Sequence, residues 1–118
     1  MNTLKIIENE LIEVGINPCL SGFYCLMYAI NYYLENNKEY YEVSITNELY
    51  PYVATKINSK TPSRVERCIR HSIEKLYNET YTEHLSTVID CRSGKPTNST
   101  FIAYLLLRVK NKINEENK

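Results

Sequence analysis

The sequence predicts an all-α domain, a compact bundle of about six helices containing a helix-turn-helix. Three observations carry that expectation. Apolar residues recur at three- and four-residue steps through most of the chain. Only three glycines occur, with no Asn-Gly or Asp-Gly pair to mark a β-hairpin. Proline and cap residues fall where helices would begin, as in Thr61-Pro62. At 118 residues, with 43% hydrophobic content, the chain is long enough for one core. The expected organisation is a single domain over residues 1–118.

The first helix is expected from Asn2 or Thr3 to Val14, with Leu4, Ile7, Leu11 and Val14 inward and Gly15 as its stop. A second should start near Ser21 and pass Leu34, turning Phe23, Leu26, Met27, Ile30 and Leu34 inward. Ser44 or Thr46 can cap a short helix through Tyr50, and Pro51 opens another to Ile57. Asn58-Ser59-Lys60 reads as a turn. Thr61-Pro62 then begins the best-defined helix, running to about Leu76, because the threonine hydroxyl can accept an orphan N–H and proline suits the first helical position. A shorter helix around Glu83 to Ile89 is expected next. After a loop through Gly94-Lys95-Pro96, a long last helix should run from Thr97 or Asn98 to Ile113.

Composition narrows function. The net charge is zero, which argues against a generic nucleic-acid coat, yet charge is unevenly placed. Residues 1–48 hold seven acids against Lys5 and Lys38, whereas residues 56–75 hold Lys56, Lys60, Arg64, Arg67, Arg70 and Lys75 against Glu66 and Glu74. No run of about 18 apolar residues exists, so no membrane span is expected, and Glu8, Glu10 and Glu13 interrupt any signal-peptide pattern. Cys19, Cys25, Cys68 and Cys91 form no C-x-x-C pair, and only His71 and His84 could join them. Reduced thiols in a cytoplasmic chain fit this better than zinc. His71 and Cys68 fall on different faces of one helix and His84 has no evident partner, so no enzyme and no cofactor are expected.

On a helical wheel of roughly 100° per residue, Val65, Cys68, Ile69, Ser72, Ile73 and Leu76 share the inward side. Ser63, Arg67, Arg70 and Glu74 lie opposite, Arg64 and His71 flank them, and Glu66 stands at the other border. Arginine can grip guanine O6 and N7 with two parallel N–H bonds, and glutamate can accept from cytosine N4. An acid repels phosphate, so Glu66 among arginines points to base readout rather than to plain electrostatic binding. The competing reading is an exposed helix laced by Glu66–Arg70 and Arg70–Glu74 pairs. The short helix and turn before it fit a helix-turn-helix.

The run Thr61-Pro62-Ser63-Arg64-Val65-Glu66-Arg67-Cys68-Ile69-Arg70-His71-Ser72-Ile73-Glu74 resembles the recognition helix in the C-terminal effector domain of the stage zero sporulation protein A family, the response regulators of endospore formation. Two further runs agree in order: Leu49-Tyr50-Pro51-x-Val53-Ala54-x-Lys56, and Lys95-Pro96-Thr97-Asn98-Ser99-x-Phe101-Ile102-Ala103. Looser agreement extends through Val14-Gly15-Ile16 and Gly22-Phe23-Tyr24-x-Leu26, so the likeness covers nearly the whole chain. It implies a six-helix domain that binds duplex boxes of the type TGTCGAA, often in tandem. It implies that Arg64, Glu66 and Arg67 face base edges, supported by Ser63, Arg70 and His71. Lys56 and the loop of Lys95, Thr97, Asn98 and Ser99 would hold the DNA backbone. Simple helix capping is the alternative for Thr97 and Asn98.

The chain departs from the family in three ways. The phosphorylatable receiver domain that precedes the effector domain in relatives is not expected here. Met27 stands where the family usually has arginine, and the stretch after Leu76 lacks its tryptophan-containing pattern. The expected partner is double-stranded DNA. RNA polymerase, a second copy on tandem boxes and a full-length relative are further candidates. The alternative function is a protein-interaction module that modulates a full-length regulator or polymerase without reading DNA sequence.

Overall fold

The computed structural model describes residues 2–58, 61–79 and 95–117. Among them are five α-helices and no strand: α1 (Thr3–Val14), α2 (Ser21–Glu35), α3 (Tyr50–Lys56), α4 (Pro62–Glu79) and α5 (Asn98–Glu116). The expected helix around Glu83 to Ile89 lies outside the described residues, as do Gly94, His84 and Cys91.

Local chemistry explains where α1 begins and ends. The Asn2 side chain accepts the Leu4 N–H at 2.8 Å, satisfying a donor that the first turn leaves free. At the other end Gly15 takes φ +111°, a left-handed conformation that suits a residue without Cβ. Its N–H reaches the Ile12 carbonyl while that of Ile16 reaches back to Leu11, so a Schellman motif closes the helix.

α2 is the central element, and here the expected single apolar stripe proves too narrow. Besides Phe23, Leu26, Met27 and Ile30, the structure buries Gly22, Cys25, Ala29, Asn31 and Tyr33. The reason is that α2 packs against α1, α3, α4 and α5 together. A helix surrounded on several sides needs apolar or small residues nearly all round. Burial pushes the Cys25 thiol up to about 12, with the neighbouring Cys68 adding to the shift, so Cys25 stays protonated and serves as a small core hydrophobe.

Between α2 and α3 the chain makes a 3-10 turn (Tyr40–Glu42) and a single π-type turn (Ile45–Leu49). Glu39 and Glu42 form a reciprocal capping box on the first, and Ser44 caps the second by accepting the Asn47 N–H. The π-type turn runs directly into α3, whose Pro51 sits in the first turn, where a missing N–H costs nothing. Two helices were expected here; the chain instead makes one nearly continuous helical path.

The crossing of α2 and α4 is unusually close. A Cβ built on Gly22 would lie 1.9 Å from Ser72 Oγ and 2.6 Å from the Cys68 carbonyl oxygen. Only glycine allows the two backbones to meet there. Beside it Ser21 Oγ donates to Cys68 Sγ at 3.2 Å. At the far end of α4, Leu76 packs over Gly15, 3.1 Å from where a Cβ would stand. On α5, Arg108 reaches Glu10 at 3.3 Å and Glu13 at 3.6 Å on α1. Burial raises the Glu10 carboxyl pKa, and Arg108 opposes that rise.

Gly22→Ala should therefore overpack this crossing and lower the unfolding free energy by about 1–3 kcal/mol, read as a fall in Tm by circular dichroism. Adding Ser72→Ala removes the nearest clashing atom and should recover part of the loss. An unchanged Tm in Gly22→Ala would contradict the close approach.

Candidate nucleic-acid interface

α4 carries the arginine-rich surface, and its start is built as the sequence dictates. Thr61 Oγ1 accepts the Arg64 N–H at 3.2 Å, and Pro62 follows as the first helical residue. Val65, Ile69, Ser72, Ile73 and Leu76 are buried against the core, with Cys68 half-buried at the edge. Opposite them Ser63, Arg64, Arg67, Arg70 and His71 are exposed, and Glu66 is half-buried at the border. Inward and outward sets are those of the helical wheel except at Glu74, expected on the outer side and here half-buried. From Arg64 to His71 the helix rises about 10 Å, just under two turns.

The three arginines differ in their surroundings. Arg64 and Arg67 make no ion pair with any described residue. Arg70 stands between two carboxylates, its Nε 3.7 Å from Glu66 and 3.9 Å from Glu74. Both pairs have the i,i+4 spacing of the competing sequence reading, so that reading holds for Arg70. Such exposed pairs contribute little, ~0.3–0.5 kcal/mol each, and leave the guanidinium able to exchange partners.

The start of α5 lies alongside α4. Thr97 caps the helix, its Oγ1 accepting the Thr100 N–H at 3.3 Å. Lys95 is exposed next to it. Between this helix start and α4 runs a cleft of about 500 Å³, with Glu66, Arg70 and Glu74 on one wall and Lys95, Thr97 and Asn98 on the other. Ser99 Oγ takes a long 3.4 Å contact from the Tyr40 hydroxyl.

Asn98 departs from the expected role on the DNA backbone. Its side-chain NH₂ points into the protein, 3.0 Å from the Glu66 carbonyl oxygen, 3.4 Å from Glu66 Oε2 and 3.1 Å from the Tyr50 hydroxyl. Two N–H groups facing three acceptors leave no donor for a phosphate. Asn98 thus joins α5 to α3 and α4. Periodicity could not have found this, because the partners lie 32 and 48 residues earlier in the chain. Gly22 was missed too, although a glycine at the start of an apolar helical stripe signals close backbone approach.

Lys56, at the end of α3, is exposed and lies 5.5 Å from the centre of the Tyr52 ring. Ser63, Arg64, Arg67 and His71 therefore share the exposed side of α4. Lys95, Thr97 and Ser99 are grouped at the α5 start across the cleft, and Lys56 stands apart on α3. Among the described residues no three His, Cys, Asp or Glu side chains group as a metal site, and no helix is long and apolar enough to cross a membrane.

Since Arg64 and Arg67 hold no described partner, Arg64→Ala and Arg67→Ala should each change folding stability by less than about 0.5 kcal/mol, measured by urea denaturation. A larger loss would mean that these side chains serve the fold. A model of the family described as sporulation initiation factor Spo0A C terminal matches residues 7–109 of the chain.

Proposed function

The chain belongs to the Spo0A C-terminal family, and from that premise we propose that it reads short TGTCGAA-like boxes through the major groove with α4. The family is one of helical, DNA-binding regulatory domains and not a catalytic one, and it favours double-stranded DNA as partner over the interaction-module alternative. One observation supports α4 as the reading element above the others: two arginines within one turn, Arg64 and Arg67, stand exposed without a described carboxylate partner. A helix of about 10–12 Å diameter fits a major groove about 12 Å wide.

In this reading α3 and α4 form the helix-turn-helix. Arg64 and Arg67 grip guanine edges, Glu66 accepts from cytosine N4, and Ser63 and His71 flank them. Arg70, held by two acids, contributes a shared charge and exchanges a carboxylate for DNA only when bound. Lys56, Lys95 and the α5 start with Thr97 and Ser99 meet phosphates, where backbone N–H groups at a helix N-terminus favour an anion. The domain is proposed to work as one unit on each box, with tandem boxes taking a second copy. RNA polymerase contact belongs to the same proposal.

Titration of the protein against a TGTCGAA duplex and a scrambled one tests it. Arg67→Ala should weaken box binding by about 1–3 kcal/mol and narrow the gap between the two duplexes. Lys95→Ala should weaken both alike and reduce the salt slope by about 1. Equal, weak binding of the unmutated protein to both duplexes would overturn specific readout.

A further inference from the structure

Glu66 can select a base only if its carboxylate keeps one orientation beside the arginines. Glu66 pairs with Arg70 at 3.7 Å, an exposed side chain that alone would leave the carboxylate free to move along the helix surface. A side chain free to swing loses rotamer entropy whenever it is fixed on a base, and that loss subtracts from discrimination. In this chain the Glu66 carboxylate has a second polar neighbour besides Arg70. Asn98 Nδ2 donates toward Oε2 at 3.4 Å and, at 3.0 Å, to the residue's own carbonyl oxygen. The same amide group donates to the Tyr50 hydroxyl at 3.1 Å.

The orientation of the Asn98 amide is dictated by its surroundings. A carbonyl and a carboxylate oxygen on one side can accept but not donate, so the NH₂ end must face them. Tyr50 is 6% exposed and anchored in the core at the start of α3. Asn98 is the first residue of α5, fixed by the Thr97 cap before it. Asn98 therefore links the Tyr50 hydroxyl on α3 to Glu66 on α4, and Tyr50 reaches Glu66 only through that amide. Oε2 is taken by Asn98 and Arg70, whereas Oε1 makes no hydrogen bond to a described residue.

We propose that Asn98 and Tyr50 are positioning residues for sequence discrimination, holding Glu66 by Oε2 so that Oε1 is the acceptor offered to a base. This rests on α4 being the reading helix. It makes the α3–α4–α5 junction part of the specificity apparatus although neither residue touches DNA. It also accounts for an asparagine at this helix start whose side chain is turned away from the anion-favouring end of the helix. The cap there is supplied by Thr97, which leaves the Asn98 amide free for Glu66.

The test compares the full chain with Asn98→Ala, Tyr50→Phe, Glu66→Ala and the Asn98→Ala/Glu66→Ala double variant. Each is titrated against the TGTCGAA duplex, duplexes substituted at each G·C pair in turn, and a scrambled duplex, across a salt series. Asn98→Ala should lose at least about fivefold of the discrimination at the one pair that Glu66→Ala also loses. Its binding to scrambled DNA and its salt slope should stay unchanged, and in the Glu66→Ala background it should add nothing at that pair. Tyr50→Phe, which keeps the ring in the core, should move discrimination the same way by a smaller factor, so the idea remains testable if Asn98→Ala folds poorly. Two results overturn the positioning role while base readout stands: wild-type discrimination kept in both variants, or a uniform loss on every duplex. If the wild-type chain shows no discrimination at all, the reading helix itself is rejected and the positioning role with it.

Discussion

The orientation of α4 depends on a close approach at Gly22. Gly22 lets α2 approach α4 until the two chains nearly touch at Cys68 and Ser72, and every exposed residue of α4 takes its direction from that contact. A helix is a rigid rod over this length, so fixing one line on its surface fixes the line opposite. Val65, Ile69, Ile73 and Leu76 seal the buried line, and Arg64, Arg67 and His71 face the other way as a consequence. Had residue 22 carried even a methyl group, α4 would have to shift or roll. Specific contact with DNA tolerates little of either, because base-edge hydrogen bonds require donor–acceptor distances near 3 Å.

Much of this was legible in the sequence wherever the controlling physics is local. The Thr61-Pro62 start of α4, the Gly15 stop of α1 and the two-sided pattern of residues 62–76 depend on neighbours within a turn or two, and the structure follows each of them. What was not legible depends on residues distant in the chain. The burial of α2 nearly all round reflects four neighbouring helices, and no wheel drawn on α2 alone contains them. Asn98 shows the same limit at the site. A cap or phosphate contact was the local inference for a polar residue at a helix start, but its amide is drawn instead to a carbonyl and a carboxylate on α4. The π-type turn at Ile45–Leu49 likewise merged two expected helices into one path.

The arginines divide by environment in a way that bears on net charge. A neutral domain cannot rely on long-range attraction to bring it to DNA, because its acids on α1 and α2 offset the basic segment. Its grip must come from short-range contacts that are correctly placed. Arg64 and Arg67, unpaired among the described residues, lose only water on docking, whereas Arg70 must also give up or share Glu66 and Glu74. That makes Arg70 the weaker contributor per contact, and a reason to assign discrimination to the turn that begins at Arg64.

Glu66 then has a distinct part in the balance. A carboxylate near phosphates costs binding free energy on every sequence, right or wrong. The cost is recovered only where a base donor is offered in the correct place, since a desolvated acceptor left without one is penalised. An acid on the reading surface therefore raises specificity by weakening incorrect complexes more than correct ones. The device works only if the carboxylate is not carried along by one exposed cation alone, and Arg70, 3.7 Å from Oε2, is such a cation. It therefore requires a second donor from outside the helix, fixed by an independent element, so that Arg70 is not the sole partner of Oε2. Asn98 on α5 meets that requirement, and the junction of three helices thereby bears on the choice of sequence as well as on the stability of the fold.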